Sequence, residues 1–199
     1  MNLFELIHTR RSIRRYTHQT VSLELIDQLL EAATWAPSAH NRQPWRFVVI
    51  STQTVKQQLA AAMGEHLRTD RMHDGDPIDV VERDVTRSHD RIVEAPIVIA
   101  ACLSMIDMER YPDQPRSAAE RTMAIQGVAM SIQNLLLTAH DLALGACWLC
   151  APLFCSDTVR ATLDLPIDWE PQALITIGYP TDQGRFKDRV DFKQKTIYR

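Results

Sequence analysis

Pro37-Ser38-Ala39-His40-Asn41-Arg42-Gln43-Pro44-Trp45 is the stretch on which the reading of this chain turns. Two prolines bracket a Ser and an Asn, which favour turns, and Gln43 adds a second side-chain amide able to read a flat polar edge. The loop runs straight into a strand-like segment, Arg46 to Ser51. Outward toward the N-terminus, Arg10-Arg11-Ser12-Ile13-Arg14 offers three guanidiniums and a hydroxyl just after a short helix. Guanidinium forks suit phosphate oxygens because they donate in a fixed, planar, bidentate pattern. Taken alone, Arg10 to Arg15 fits a solvated basic helix end, favoured there by the helix dipole. A phosphate clamp and a polar reading loop on one chain together meet the needs of a mononucleotide cofactor.

Composition narrows the alternatives. A chain of 199 residues with 45% hydrophobic and 24% charged residues is expected to form one globular domain, residues 1–199. The net charge of −3 argues against a nucleic-acid module, whose footprint is a strongly basic face. The longest apolar run, Ala95 to Leu103, falls far short of the roughly 20 residues of a membrane span. No charged-then-apolar signal opens the chain, so the expectation is a cytoplasmic protein. Only six glycines occur, with no G-x-G-x-x-G or Walker pattern, so any phosphate must be held mainly by side chains.

Periodicity predicts the elements. Asn2 and Glu5 form a capping box for a first helix, and Ser22 caps a second with Leu23, Ile26, Leu29, Leu30 and Ala33 on one stripe. Val55 to Leu67 and Val80 to Glu94 read as helices, with 69–79 as a polar loop between them. Pro96 to Leu103 reads as a buried strand and 107–116 as a mobile connection. Ser117 with Glu120 is a second capping box, opening the longest helix to about Leu142, apolar almost all round and therefore central. Ala146 to Leu149 and Ala173 to Ile177 read as strands. The charged tail carries Phe186, Val190, Phe192, Ile197 and Tyr198, too little to form a core alone.

The remaining reactive residues give weaker signals. Cys147-x-x-Cys150 has redox or zinc spacing, but no second pair completes a tetrahedron, and no metal site is expected. Buried, reduced cysteines are the expectation for all four. The seven histidines show no ligand spacing. His140 reads as a satisfied core histidine, His40 as either a pocket or a surface residue, and Trp45 as core. No catalytic acid, base or nucleophile declares itself, as expected where a cofactor carries the chemistry.

Arg-Arg-Ser-x-Arg, Pro-Ser-x-x-Asn-x-Gln-Pro-Trp and the tail segment Phe186-Lys187-Asp188-Arg189 resemble the motifs of the nitroreductase-like family of FMN-dependent oxidoreductases. The resemblance spans nearly the whole chain. It implies an α+β three-layer fold, with a mainly antiparallel sheet around a long central helix, assembled as an intertwined homodimer. In that arrangement residues 180–199 dock on the partner. FMN is the implied cofactor, with Arg10, Ser12, Arg14, Lys187 and Arg189 on its phosphate and Arg11 near its uracil-like edge. Arg15 falls outside this set and is expected on the surface. Ser38 and Asn41 would reach the flavin ring from the second subunit, and Trp148, Cys150 and Ala151 would lie along one ring face. Better-known bacterial members place a Glu-Gly pair at about Cys150-Ala151, and the Trp-containing version resembles the flavin domain of deazaflavin biosynthesis proteins. The implied activity passes two electrons from NAD(P)H to a small, flat, electron-poor acceptor by a ping-pong mechanism. A specific reductase of a deazaflavin-like substrate and a flavin-binding protein without turnover are the alternatives.

Overall fold

The computed structural model describes residues 2–199. Helix α1 spans Leu3–Thr9 and opens on the expected capping box: Asn2 Oδ1 accepts from the Glu5 N–H, and the Glu5 carboxylate accepts from the Asn2 N–H. Helix α2 (Leu23–Thr34) starts at Ser22, whose hydroxyl accepts from the Leu25 N–H. Strand β1 (Trp45–Ile50) follows the Pro37–Pro44 loop.

The charged stretch that follows β1 departs from the prediction. Helix α3 runs over Gln53–His73 and α4 over Ile78–Val93, so residues 69–73 are helical and the connection shrinks to four residues. Arg68 binds Glu65 and Glu82, while Arg71 binds Asp76 and Asp84. The polarity that suggested a loop is an ion-pair seam holding two antiparallel helices. Similarly, α5 (Gln114–Asp141) begins before Ser117, because Asp113 caps it by accepting from the Arg116 N–H at 2.9 Å. Pro115 sits in the first turn, where its missing N–H costs nothing. Glu120, expected to cap, is instead buried and accepts from the Glu109 N–H at 3.1 Å.

Strand β2 (Ile97–Leu103) is buried from end to end because both its faces are covered. Ile97, Ile99, Ala101 and Leu103 enter one core with Leu29 of α2 and Ile132 and Leu135 of α5. Val98 and Ala100 point the other way, to Leu59 and Met63 of α3 and Ile92 of α4. Successive strand side chains alternate between faces, so one apolar run feeds two cores. Strands β3 (Gly145–Leu149) and β4 (Glu170–Gly178) complete an antiparallel sheet in the order β1-β2-β4-β3. Helix α6 (Ser156–Thr162) joins the α3 side through Val159. Three layers result, with α5 along one sheet face. No helix among the described residues is long and apolar enough to cross a membrane.

Candidate active site

Residues Arg10 to Tyr16 cross the open side of β3 and the end of β4. Ser12 pairs with Ala146 and Tyr16 with Pro180 as isolated bridges. The Ile13 N–H donates to Ala146 O at 3.0 Å and the Thr17 N–H to Tyr179 O at 2.8 Å. The Tyr16 hydroxyl lies 2.6 Å from Ile13 O and 2.8 Å from Thr176 Oγ1. Burial raises its pKa, so it remains a donor. Gly145 makes this seating possible: a Cβ there would lie 2.6 Å from Ile13 Cγ2. Ile13 is thereby driven inward, and its polar neighbours are left outward.

The tail closes over the same segment. Gly184 has φ +71, and a Cβ on it would meet Arg11 Cβ at 2.9 Å. Phe186 packs under the Arg11 guanidinium at 5.0 Å, a cation–π contact. Arg11 Nη1 also donates to His8 O at 2.6 Å and Arg10 O at 2.8 Å, so this arginine ties together the end of α1 and the tail.

Arg10, Arg11, Ser12, Arg14, Lys187 and Arg189 all line one cavity of about 1460 Å³. The two termini of the chain thus converge on it. The Arg10 guanidinium is pushed down by its burial and then by the nearby positive charges of Arg189 and Arg11. Arg14, Arg91 and Arg10 all act on buried Cys147, opposing the upward push that burial gives its thiol. Cations held this close, half-buried in the case of Arg10, call for an anion. Arg10, Lys187 and Arg189 have no ion-pair partner among the described residues. A phosphate monoester fits this donor set, because it brings a charge of about −1.5 to −2 and three acceptor oxygens.

The other predicted residues lie outside this cavity. Trp148 packs partly against the α5-side core, with its indole N–H buried and unpartnered. Cys150 and Ala151 follow the end of β3; Ala146 to Leu149 spans about 10 Å at strand rise. Cys150 is exposed, against the expectation for it, because it stands in the turn past the strand end; Cys102, Cys147 and Cys155 are buried. Burial pushes the Cys102 thiol up to about 12.

Ser38 and Asn41 belong to a separate feature. His40, Asn41 and Gln43 all adopt positive φ, of 49°, 54° and 51°. Non-glycine residues in that region are costly and tend to mark functional loops. The Ser38 hydroxyl holds the loop by accepting from the Gln43 N–H at 3.0 Å, and Gly127 of α5 lets Pro44 approach closely. Arg42 pairs with Glu109. Among the described residues no group of three His, Cys, Asp or Glu side chains is placed to hold a metal ion.

Sequence reasoning missed Arg83, Arg87 and Arg91 of α4, which line the cavity opposite the Arg10–Arg14 segment. Their four-residue spacing was the available signal. Arg15, expected on the surface, is exposed and also lines this cavity.

Residues 7–179 match the model of the Nitroreductase family. A protein of Methanothermobacter thermautotrophicus, provisionally named NADH dehydrogenase/NAD(P)H nitroreductase, is 30% identical over 96% of this chain and 84% of its own. A provisionally named nitroreductase from Desulfovibrio desulfuricans, solved in complex with FMN, is 28% identical with a TM-score of 0.76, covering 100% of this chain and 97% of the other. A BluB-like flavoprotein from Clostridium difficile, 23% identical, shares the fold at a TM-score of 0.82 over 100% and 99% of the two chains. On its sequence, its three-layer fold and the match over most of its length, the chain belongs to the Nitroreductase family.

Proposed function

We propose that the protein is an FMN-dependent oxidoreductase that passes two electrons from NAD(P)H to a small, flat, electron-poor acceptor such as a nitroaromatic or a quinone. The carrying observation is the convergence of Arg10, Ser12 and Arg14 with Lys187 and Arg189 on one cavity. Family membership and the FMN complex of the Desulfovibrio relative support the cofactor. In this reading the flavin supplies the redox chemistry, and the protein's residues bind and orient it. Arg10 and Arg14 anchor the phosphate, Ser12 donates beside them, and the Lys187–Arg189 segment closes from the tail. The Trp148–Ala151 segment covers one ring face, leaving a single face for both donor and acceptor.

The Ser38–Gln43 loop reaches a second subunit's site in the same reading, within a homodimer. Exposed apolar side chains support that assembly: Phe4 and Ile7 on α1, Ile125 and Met130 on α5, and Phe186 and Phe192 in the tail. Brought together on one face, such side chains would suit an interface between two copies.

Anaerobic mixing of the purified yellow protein with NADH or NADPH tests turnover. Flavin absorbance should bleach and return on adding a nitroaromatic or quinone, and steady-state double-reciprocal plots should be parallel, as expected for a shared site. Yellow protein inert to both nucleotides would make it a flavin-binding protein without turnover, and intersecting plots would defeat the shared face.

A further inference from the structure

Arg83, Arg87 and Arg91 recur every fourth residue along α4 and face the same cavity as the Arg10–Arg14 segment. That spacing lines up three guanidiniums on one helix face, where like charges repel. Their compensation is thin. Asp84 pairs with Arg87 at 2.9 Å and stands 3.8 Å from Arg83, but it also serves Arg71 of α3 at 3.0 Å. Of the cavity's own carboxylates, Glu82 is bound by Arg68 and Asp90 contacts His89. Arg91 is half-buried and has no carboxylate in ion-pair reach among the described residues. Its guanidinium is pushed down by burial, then by Arg14 and Arg87.

Nine arginines and one lysine face four carboxylates around the cavity, an excess of six in a chain whose net charge is −3. One flavin phosphate removes about two of those charges, leaving roughly four. The cavity volume of about 1460 Å³ also exceeds the 300–1,000 Å³ or so of a pocket for one small ligand. In the proposed reaction, the nicotinamide donor carries phosphates away from its reacting ring. Both forms of that donor share the pyrophosphate; a further monoester dianion distinguishes NADPH, and arginine forks match it.

We propose that Arg83 and Arg87, with Arg91 at the border of the flavin phosphate site, form a second anion subsite that takes the 2′-phosphate of the donor and makes NADPH the preferred reductant. This assignment rests on the oxidoreductase reading above.

Calorimetric titration of the FMN-loaded, full-length protein with adenosine 2′,5′-bisphosphate and with 5′-AMP reads the subsite directly. The bisphosphate should bind at least tenfold more tightly at low salt, and the gap should narrow as ionic strength rises. In the Arg83→Ala/Arg87→Ala double variant the gap should shrink at least fivefold, and the NADPH-to-NADH ratio of kcat/KM should fall with it. If that variant does not fold, Arg87→Gln alone should narrow the gap at least threefold. Equal binding of the two nucleotides by the unaltered protein, or a gap that survives the substitution, overturns the subsite. Protein that holds no flavin would sink the oxidoreductase reading, while the same two titrations on it would still decide whether the α4 arginines recognise a 2′-phosphate.

Discussion

At the scale of single residues, Arg10 is where both ends of the chain meet, with Arg189 acting on it from the tail. Arg10→Ala or Arg189→Ala should weaken FMN binding at least tenfold, about 1.4 kcal/mol, while riboflavin affinity stays near its original value. Equal binding of FMN and riboflavin by the unaltered protein would refute the clamp. His140 gives a pH prediction. Its Nε2 lies 2.9 Å from Thr9 Oγ1, and its pKa is lowered by burial, then by Arg10 and Arg11. A histidine depressed in the folded state favours the neutral form there, so its stability contribution is complete above the unfolded value of about 6.5 and is lost as pH falls from there through the lower folded value. The urea midpoint should therefore decline as pH falls below about 6.5 more steeply in the wild type than in His140→Gln. Legibility at this scale follows charge. Arg10 and Arg14 stood out because their cluster has few acids beside it, whereas Lys187 and Arg189, with Asp188 between them, were singled out only by the family resemblance of the tail. The α4 arginines were hidden by the acids interleaved among them, Glu82, Asp84, Asp90 and Glu94, which make the same stretch read as an ordinary solvated helix.

At the scale of elements, β2 and the Ser22-capped α2 were legible because an unbroken apolar run and a capped stripe each admit one burial solution. The second half of α3 was not. Residues 69–73 carry no apolar stripe, and their helicity rests on pairing with α4 through Arg68 and Arg71, a tertiary effect invisible to local pattern. The start of α5 failed for a related reason: two caps compete there, and Asp113 wins because Glu120 is drawn inward to the Glu109 backbone. Gly145 exposes how tightly elements govern the site. Gly145→Ala would place a methyl 2.6 Å from Ile13 Cγ2, so it should cost about 1–3 kcal/mol as an overpacking change. It should also release flavin, since Ile13 fixes the outward turn of its arginine neighbours. A urea midpoint unchanged from the wild type would show that the Arg10–Tyr16 segment yields freely.

At the scale of the whole molecule, the tail beyond Pro180 leaves Phe186, Val190, Phe192, Ile197 and Tyr198 largely exposed. Deleting it after Pro180 should give a monomer that has lost its flavin, whereas the full chain should sediment as a yellow dimer. A full-length yellow monomer would defeat the assembly. The sequence marked this tail as needing a surface; in the proposed dimer that surface belongs to a second copy, which leaves no periodic trace within one chain. The seam between Ser12 and Ala146 has a consequence of a different kind. Strand β3 is one of the sheet's two outer strands, and outer strands offer free N–H and C=O groups to any passing chain. The segment that presents the arginines is also the cover over that edge. A substitution beneath Ile13 that frees it unseals a β-strand, so in the proposed reading aggregation and loss of the cofactor phosphate go together.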